Sequence, residues 1–141
     1  VSAFFMPGSD SYMVLWKAVC VCLIDYIIAY TVLGLGGIFR NKIKNPSVSL
    51  CVGSIFALSL RYIAHIISGF IFFGTWADWF FSQDGFTLGA KILEKFSGQG
   101  LAFLYSVIYN GLYMIPEIII TAIVALIIGR VPQISGRKNT K

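Results

Sequence analysis

Three long apolar segments constrain this chain more than any other feature of its sequence. They run from about Met13 to Phe39, from about Val48 to Phe73 and from about Leu101 to Ile128. Each exceeds the roughly 20 apolar residues that an α-helix needs to cross the hydrocarbon core of a bilayer. A lone strand would leave its backbone polar groups unpaired in lipid, so helices are predicted. The segments predict an all-α, polytopic integral membrane protein.

The composition argues against an ordinary soluble domain. Hydrophobic residues make up 57% of the 141 residues and charged residues 12%, whereas soluble domains carry about 25% charged residues. The three cysteines lie in apolar stretches and the chain has one His, so a Cys/His zinc site lacks ligands. We expect one transmembrane domain over residues 1–141, with no catalytic residue, metal site or cofactor. Because the chain begins with Val1 rather than Met, we also expect it to lack an N-terminal part.

The charged residues predict an orientation in the membrane. The loop at residues 40–47 and the C-terminal tail hold seven Lys and Arg and no Asp or Glu. Basic residues mark the cytoplasmic side of membrane proteins. Acidic residues lie near the N-terminus and in the loop at residues 75–100, namely Asp10, Asp78, Asp84 and Glu94. We therefore expect the N-terminal segment, Val1 to Tyr12, and loop 75–100 to be extracellular and the basic loop and tail cytoplasmic. The net charge of +5 is then a topology signal, and no nucleic-acid partner is expected.

Ionisable side chains within the apolar segments are the candidate functional residues, because such groups are expensive in a membrane. A rise of 1.5 Å per residue puts Asp25, His65 and Asn110 between about 12 and about 18 Å below the outer ends of their helices. They fall in one layer, where a pocket open to the outside would lie. The ionisable residues of the segments are Lys17, Asp25, Arg61, His65 and Glu117.

Each candidate also has a purely structural interpretation. Arg61 can pair with Asp25 at matching depth, or with Glu117 further in, and Asp25 can be only its counter-ion. His65 can be a packing residue, and Asn110 can join two helices by a hydrogen bond. Residue types and depth alone predict a small polar or cationic ligand that is transported. The alternative function is a stand-alone secondary transporter with a proton relay of Asp25, His65 and Glu117.

Three local sequence patterns are more specific. They are Asp25-Tyr26, the run from Arg61 through His65 to Gly69, and the run from Tyr105 through Asn110 to Gly111. In order, spacing and expected depth they resemble the signatures of the ThiT/YuaJ family. Members of this family are the thiamine-specific substrate-binding subunits of energy-coupling-factor transporters.

The resemblance implies a six-helix bundle in the bacterial cell membrane, of which this chain covers a part. It implies that thiamine is captured from outside for ATP-driven uptake, with a transmembrane coupling subunit and two ATPase subunits as partners beside membrane lipid. A carboxylate would offset the thiazolium charge, and aromatic faces would attract it. By motif position, the substrate-binding residues are Asp25, Tyr26, His65, Gly69, Phe73, Tyr105 and Asn110.

Two positions depart from the family pattern. Phe73 stands where the family usually has Trp, which weakens one stacking surface, although Trp76 or Trp79 can compensate. Asp25 is one methylene shorter than the usual Glu. We expect these departures to affect affinity or selectivity among thiamine and related compounds. Gly69, four residues after His65, leaves room for either a flat ligand or a closely packed helix.

Overall fold

The computed structural model describes residues 11–84 and 86–131, and this part of the chain is helical with short connections. Its elements are α1 (Ser11–Cys22), a π-helix (Leu23–Ile28), α2 (Ala29–Thr31), a 3₁₀-helix (Val32–Phe39), α3 (Pro46–Phe73), a 3₁₀-helix (Gly74–Trp76), α4 (Ala77–Phe81), α5 (Gly89–Lys95) and α6 (Gly98–Ile128). The N-terminal segment predicted to face outward lies largely outside the described residues. So do the basic tail residues Arg137, Lys138 and Lys141.

Three helical segments among the described residues are long and apolar enough to cross a membrane. We name them the first span (Leu15–Phe39), the second span (Pro46–Phe81) and the third span (Gly98–Ile128). Large apolar side chains remain exposed along them, as at Leu112, which is 62% exposed, and Ile127, which is 61% exposed. Exposed apolar surface on this scale is typical of helices that face lipid or pack against further helices. The predicted all-α polytopic membrane fold is confirmed.

The first span is not one regular helix. A six-residue π-helix, Leu23–Ile28, interrupts its middle, and a 3₁₀-helix, Val32–Phe39, ends it. Gly36 in the 3₁₀-helix lies against Gly53 of α3, where a Cβ at position 53 would collide with the Gly36 carbonyl oxygen. Small residues of this kind let two backbones approach closely in a membrane. The first span therefore crosses the second at a glycine pair.

The N-terminus of α3 is fixed by local sequence chemistry. Asn45 has an extended backbone, and its side-chain oxygen accepts hydrogen bonds from the backbone N–H groups of Ser47 at 3.0 Å and Val48 at 3.4 Å. Pro46 occupies the first turn, where its missing N–H leaves no hydrogen bond unmade. Because Asn45 is an N-cap, α3 begins at Pro46 rather than at Val48.

Helices α3 and α6 form the most extensive interface of the described structure. Small and polar residues line it instead of large apolar ones, because lipid gives no hydrophobic reward for helix association. The Oη of Tyr62 on α3 donates to the Val107 carbonyl oxygen on α6 at 2.7 Å. Gly69 on α3 lies against Ser106 and Asn110 on α6, and Gly111 on α6 lies against the Tyr62 hydroxyl. The buried residues of the two helices include Ala57, Ala64, Ser68 and Gly69 on α3 and Ser106, Asn110, Gly111 and Met114 on α6.

An aromatic cluster closes one end of the α3–α6 pair. Phe81 of α4 is 1% exposed and belongs to the same buried core as Ala77, Leu101 and Tyr105. Helix α5 packs beside α4 and occupies Gly89–Lys95. This end of the molecule carries the connection at residues 75–100.

Candidate functional site

A carboxylate and an imidazole meet between the first and second spans. The Oδ1 of Asp25 lies 2.9 Å from the Nδ1 of His65. The Asp25 side chain is 22% exposed and the His65 side chain 11% exposed. The π-helix presents Asp25 to α3, and π-helical turns are frequent at functional sites. The partner of Asp25 is thus His65, in the layer that the depth estimate predicts.

Arg61 lies one helical turn from His65 and forms an ion pair with the third span. Its Nη1 donates to Glu117 Oε1 at 2.7 Å, and its Nε donates to His65 Nε2 at 3.3 Å. The ring of Tyr30 lies against its guanidinium, with the Cζ atom 5.0 Å from the ring centroid. Of the two ion pairs that the sequence leaves open for Arg61, the structure contains the one with Glu117.

Asn110 joins α6 to α3 within the same layer. The residue is 6% exposed, and its Nδ2 donates to the His65 carbonyl oxygen at 3.2 Å and to the Ser106 carbonyl oxygen at 2.8 Å. Its Oδ1 accepts a hydrogen bond from the Tyr113 Oη. The Tyr113 ring stands edge-on to the His65 ring with 6.0 Å between centroids. Asn110 therefore links α6 to the backbone of His65, and the Tyr113 ring that it positions packs against the His65 ring.

Gly69 is a point of close helix contact. It is buried, and a Cβ there would collide with the Ser106 Oγ and lie 2.9 Å from Asn110 Nδ2. The Ser106 Oγ also donates to the Ile66 carbonyl oxygen at 2.7 Å. Of the two interpretations left open by the sequence, the structure has a closely packed helix beside Gly69.

The aromatic candidates occupy different places. Tyr105 is 7% exposed and lies edge-on to Phe80 at 5.3 Å, and Phe73 packs against the same buried cluster. Tyr26 is 61% exposed and parallel to Tyr30 at 6.4 Å. Asp25, His65 and Asn110 with Gly69 therefore form one connected network, Phe73 and Tyr105 belong to the aromatic cluster, and Tyr26 lies at the surface of the first span.

The two tryptophans considered as replacements for a stacking surface lie together. Trp76 and Trp79 are edge-on to each other at 5.8 Å and are 43% and 57% exposed. They follow α3 directly, at the end of the bundle that carries loop 75–100. Both rings are partly exposed, and both residues follow Phe73 in the chain.

Three residues of the network were not among the sequence-predicted site residues. Ser106 precedes Asn110 by four positions and Tyr113 follows it by three, so both share its helix face. Tyr30 follows Asp25 in the first span by five positions, a spacing that shares a face only where the helix is π-helical. The helical spacing around Asn110 could have found the first two, but no signal in the apolar first span indicates the π-helix.

A cavity of about 780 Å³ lies between the loop after the first span, the start of α3 and the C-terminal half of α6. Glu117, Arg40 and Lys44 lie along its wall. Its lining does not include Asp25, His65 or Asn110. Glu117 therefore belongs both to the ion pair with Arg61 and to the wall of this cavity.

The charges of the network suit a cationic ligand. Asp25 and Glu117 are carboxylates and Arg61 is a guanidinium, so with a neutral His65 one negative charge remains uncompensated. A charge in a membrane interior favours an opposite charge beside it. Aromatic rings nearby, those of Tyr113 and Tyr30, can also attract a cation.

Comparisons with known proteins identify the same family that the sequence patterns resemble. The sequence model of the family described as "Thiamine transporter protein (Thia_YuaJ)" matches residues 8–82. The chain is 34% identical over 111 residues to the protein named "Thiamine transporter ThiT" of Bacillus subtilis (strain 168), a match that covers 72% of this chain and 48% of that protein. The chain thus spans about half the length of this relative. No solved structure matches the chain.

Proposed function

The chain belongs to the thiamine transporter (Thia_YuaJ) family, and from this membership we propose that it is part of a membrane subunit that captures thiamine from outside the cell. Its seven substrate-binding residues are proposed to be the sequence-predicted set, with the network of Asp25, His65 and Asn110 at the centre. Phe73 and Tyr105 would contribute from the aromatic cluster and Tyr26 from the first span, once the remainder of the subunit and the ligand are present.

One observation carries the proposal: Asp25 lies beside His65 and Arg61 pairs with Glu117, so with a neutral His65 no cation offsets the charge of Asp25. Thiamine is a permanent thiazolium cation joined to an aminopyrimidine. The Asp25 carboxylate, which His65 contacts at 2.9 Å, would lie against the thiazolium and offset its charge. The Nδ2 donors of Asn110 are held by the His65 and Ser106 carbonyl oxygens. Its Oδ1 accepts from Tyr113 and has a second lone pair, so Asn110 would read a pyrimidine edge as an acceptor. A ligand without the positive charge would leave the carboxylate unpaired, which penalises it.

Uptake is proposed to depend on an energy-coupling module. The family resemblance supplies this step: a transmembrane coupling subunit and two ATPase subunits would drive the transport of thiamine that this subunit has captured. In the bacterial cell membrane, loop 75–100 would face outward and loop 40–47 inward, so the Asp25 layer would open to the outside. We propose no chemical reaction for the chain itself.

A titration with two ligands tests the proposal. The natural full-length protein, in lipid nanodiscs, is titrated calorimetrically with thiamine and with an uncharged isostere in which a neutral ring replaces the thiazolium. We expect thiamine to bind at least about tenfold more tightly, because an ion pair between carboxylate and thiazolium need supply only about 1.4 kcal/mol for this factor. Equal affinities for the two ligands would show that the carboxylate does not select the cation.

The contact between Asp25 and His65 also favours a second candidate, a stand-alone proton-coupled transporter of a small organic cation. An acid beside a histidine in a membrane can carry a proton. The two candidates differ in their energy source. If uptake in cells stops when the ATPase subunits are inactivated and persists when a protonophore is added, the energy-coupled subunit is supported. The opposite pattern supports the proton-coupled transporter.

A further inference from the structure

We propose that Arg61 is a positioning residue that keeps the cation site negatively charged. Its guanidinium holds the His65 imidazole in the neutral form that carries its proton on Nδ1, which leaves Asp25 an ionised acceptor. The inference rests on the proposed function, because it names the residue on which selection for a cationic ligand depends. Arg61 is not one of the seven proposed substrate-binding residues.

The directions of the hydrogen bonds lead to this assignment. A guanidinium has five N–H donors and no acceptor, so Arg61 Nε can only donate to His65 Nε2 across 3.3 Å. His65 Nε2 must then offer a lone pair. A neutral imidazole with its lone pair on Nε2 carries its proton on Nδ1, and that atom faces Asp25 Oδ1 at 2.9 Å. The Nδ1–H of His65 therefore donates a hydrogen bond to Asp25, which accepts it as an ionised carboxylate.

Two further contacts fix the orientation of the Arg61 side chain. Glu117 Oε1 accepts from Nη1 at 2.7 Å, and the Tyr30 ring lies 5.0 Å from the guanidinium carbon. The Arg61 side chain is 16% exposed. A planar guanidinium fixed by an ion pair and a ring face keeps its Nε–H direction, which a flexible ammonium cannot do.

The arrangement opposes protonation of His65. An imidazolium has N–H groups on both ring nitrogens, so its Nε2–H would meet the Arg61 Nε–H, donor against donor. The ionisable groups that face or adjoin the imidazole are Asp25 from the first span, Arg61 from its own helix and Tyr113 from α6, with Glu117 beyond the guanidinium. Without the Arg61 donor, His65 could take a proton and neutralise Asp25. The site would then lose the negative charge that attracts a cation.

Nitrogen-15 NMR of the histidine ring tests the proposal without any ligand. The full-length protein is labelled at histidine nitrogens in nanodiscs, and a His65→Gln variant identifies the His65 signals. We expect the wild type to show a protonated Nδ1 and an unprotonated Nε2, the tautomer that the two hydrogen bonds require. In Arg61→Lys, which retains a cation for Glu117, we expect mixed tautomers.

Binding gives the second readout. We expect the preference for thiamine over its uncharged isostere to fall about tenfold in Arg61→Lys, as for the loss of one hydrogen bond to a charged group. A wild-type His65 that is protonated on Nε2, or an unchanged tautomer in Arg61→Lys, would overturn the inference. If thiamine does not bind at all, the proposed function fails, and the tautomer still decides the role of Arg61.

Discussion

At the scale of single residues, the sequence predicts which side chains share a layer but not which of them touch. Asp25 and Arg61 have the same expected depth, which makes them natural partners. The structure instead pairs Asp25 with His65 and Arg61 with Glu117. Depth follows from counting residues, whereas partners depend on how each helix is rotated about its axis. Rotation is set by packing between spans, and a sequence that is apolar on all sides does not reveal it.

Gly69 gives a residue-scale prediction of stability. A Gly69→Ala change would place a methyl group against Ser106 Oγ and Asn110 Nδ2. Since both side chains are buried and hydrogen-bonded, we expect a loss of about 1–3 kcal/mol, the usual effect of overpacking. Thermal unfolding in detergent, followed by intrinsic fluorescence, measures the loss.

Gly34→Ala is the matched control for this prediction. Gly34 has no atom within 4 Å of an added Cβ, so we expect its unfolding temperature to stay close to that of the wild type. Equal stability of the two alanine variants would mean that α3 and α6 are not in close contact at Gly69. The closely packed helix described beside Gly69 would then be wrong.

At the scale of elements, hydropathy alone predicts the three spans, because the length of an apolar run is a physical requirement of the bilayer. The irregular parts of the first span could not be predicted. Neither the π-helix at Leu23–Ile28 nor the 3₁₀-helix at Val32–Phe39 changes the apolar character of the sequence. The glycines at 34, 36 and 37 indicate weak helix propensity there, and Gly36 of the 3₁₀-helix lies against Gly53 of α3.

The orientation of the loops is an element-scale prediction. We expect loop 75–100 to be extracellular and loop 40–47 cytoplasmic, because the basic residues lie in the latter. In an otherwise cysteine-free protein, Asp84→Cys should react with an impermeant thiol reagent in intact cells, and Asn41→Cys should react only after the cells are opened. Both positions are exposed, so access to the reagent depends on the side of the membrane. Labelling in the reverse pattern would invert the topology.

At the scale of the whole molecule, the described spans form one connected polar layer inside an apolar bundle. Hydrogen bonds and ion pairs link the first span to α3 through Asp25 and α3 to α6 through Arg61 and Asn110. Interhelical polar contacts in membranes contribute about 0.6 to 2 kcal/mol each. The same contacts that hold the three spans together therefore also hold the candidate site. A ligand that binds in this layer would stabilise the bundle in proportion to its affinity.

The central claim is that Asp25 provides the negative charge that binds the cation, and Asp25→Asn in the full-length protein tests it most directly. Asp84→Asn, which removes a carboxylate from the exposed loop, is the matched control. We expect thiamine affinity, measured by calorimetry, to fall by about 1.5–3 kcal/mol in Asp25→Asn, which is roughly ten- to a hundredfold, and to be unchanged in Asp84→Asn. Wild-type affinity in a well-folded Asp25→Asn protein would contradict the account and remove Asp25 from the site.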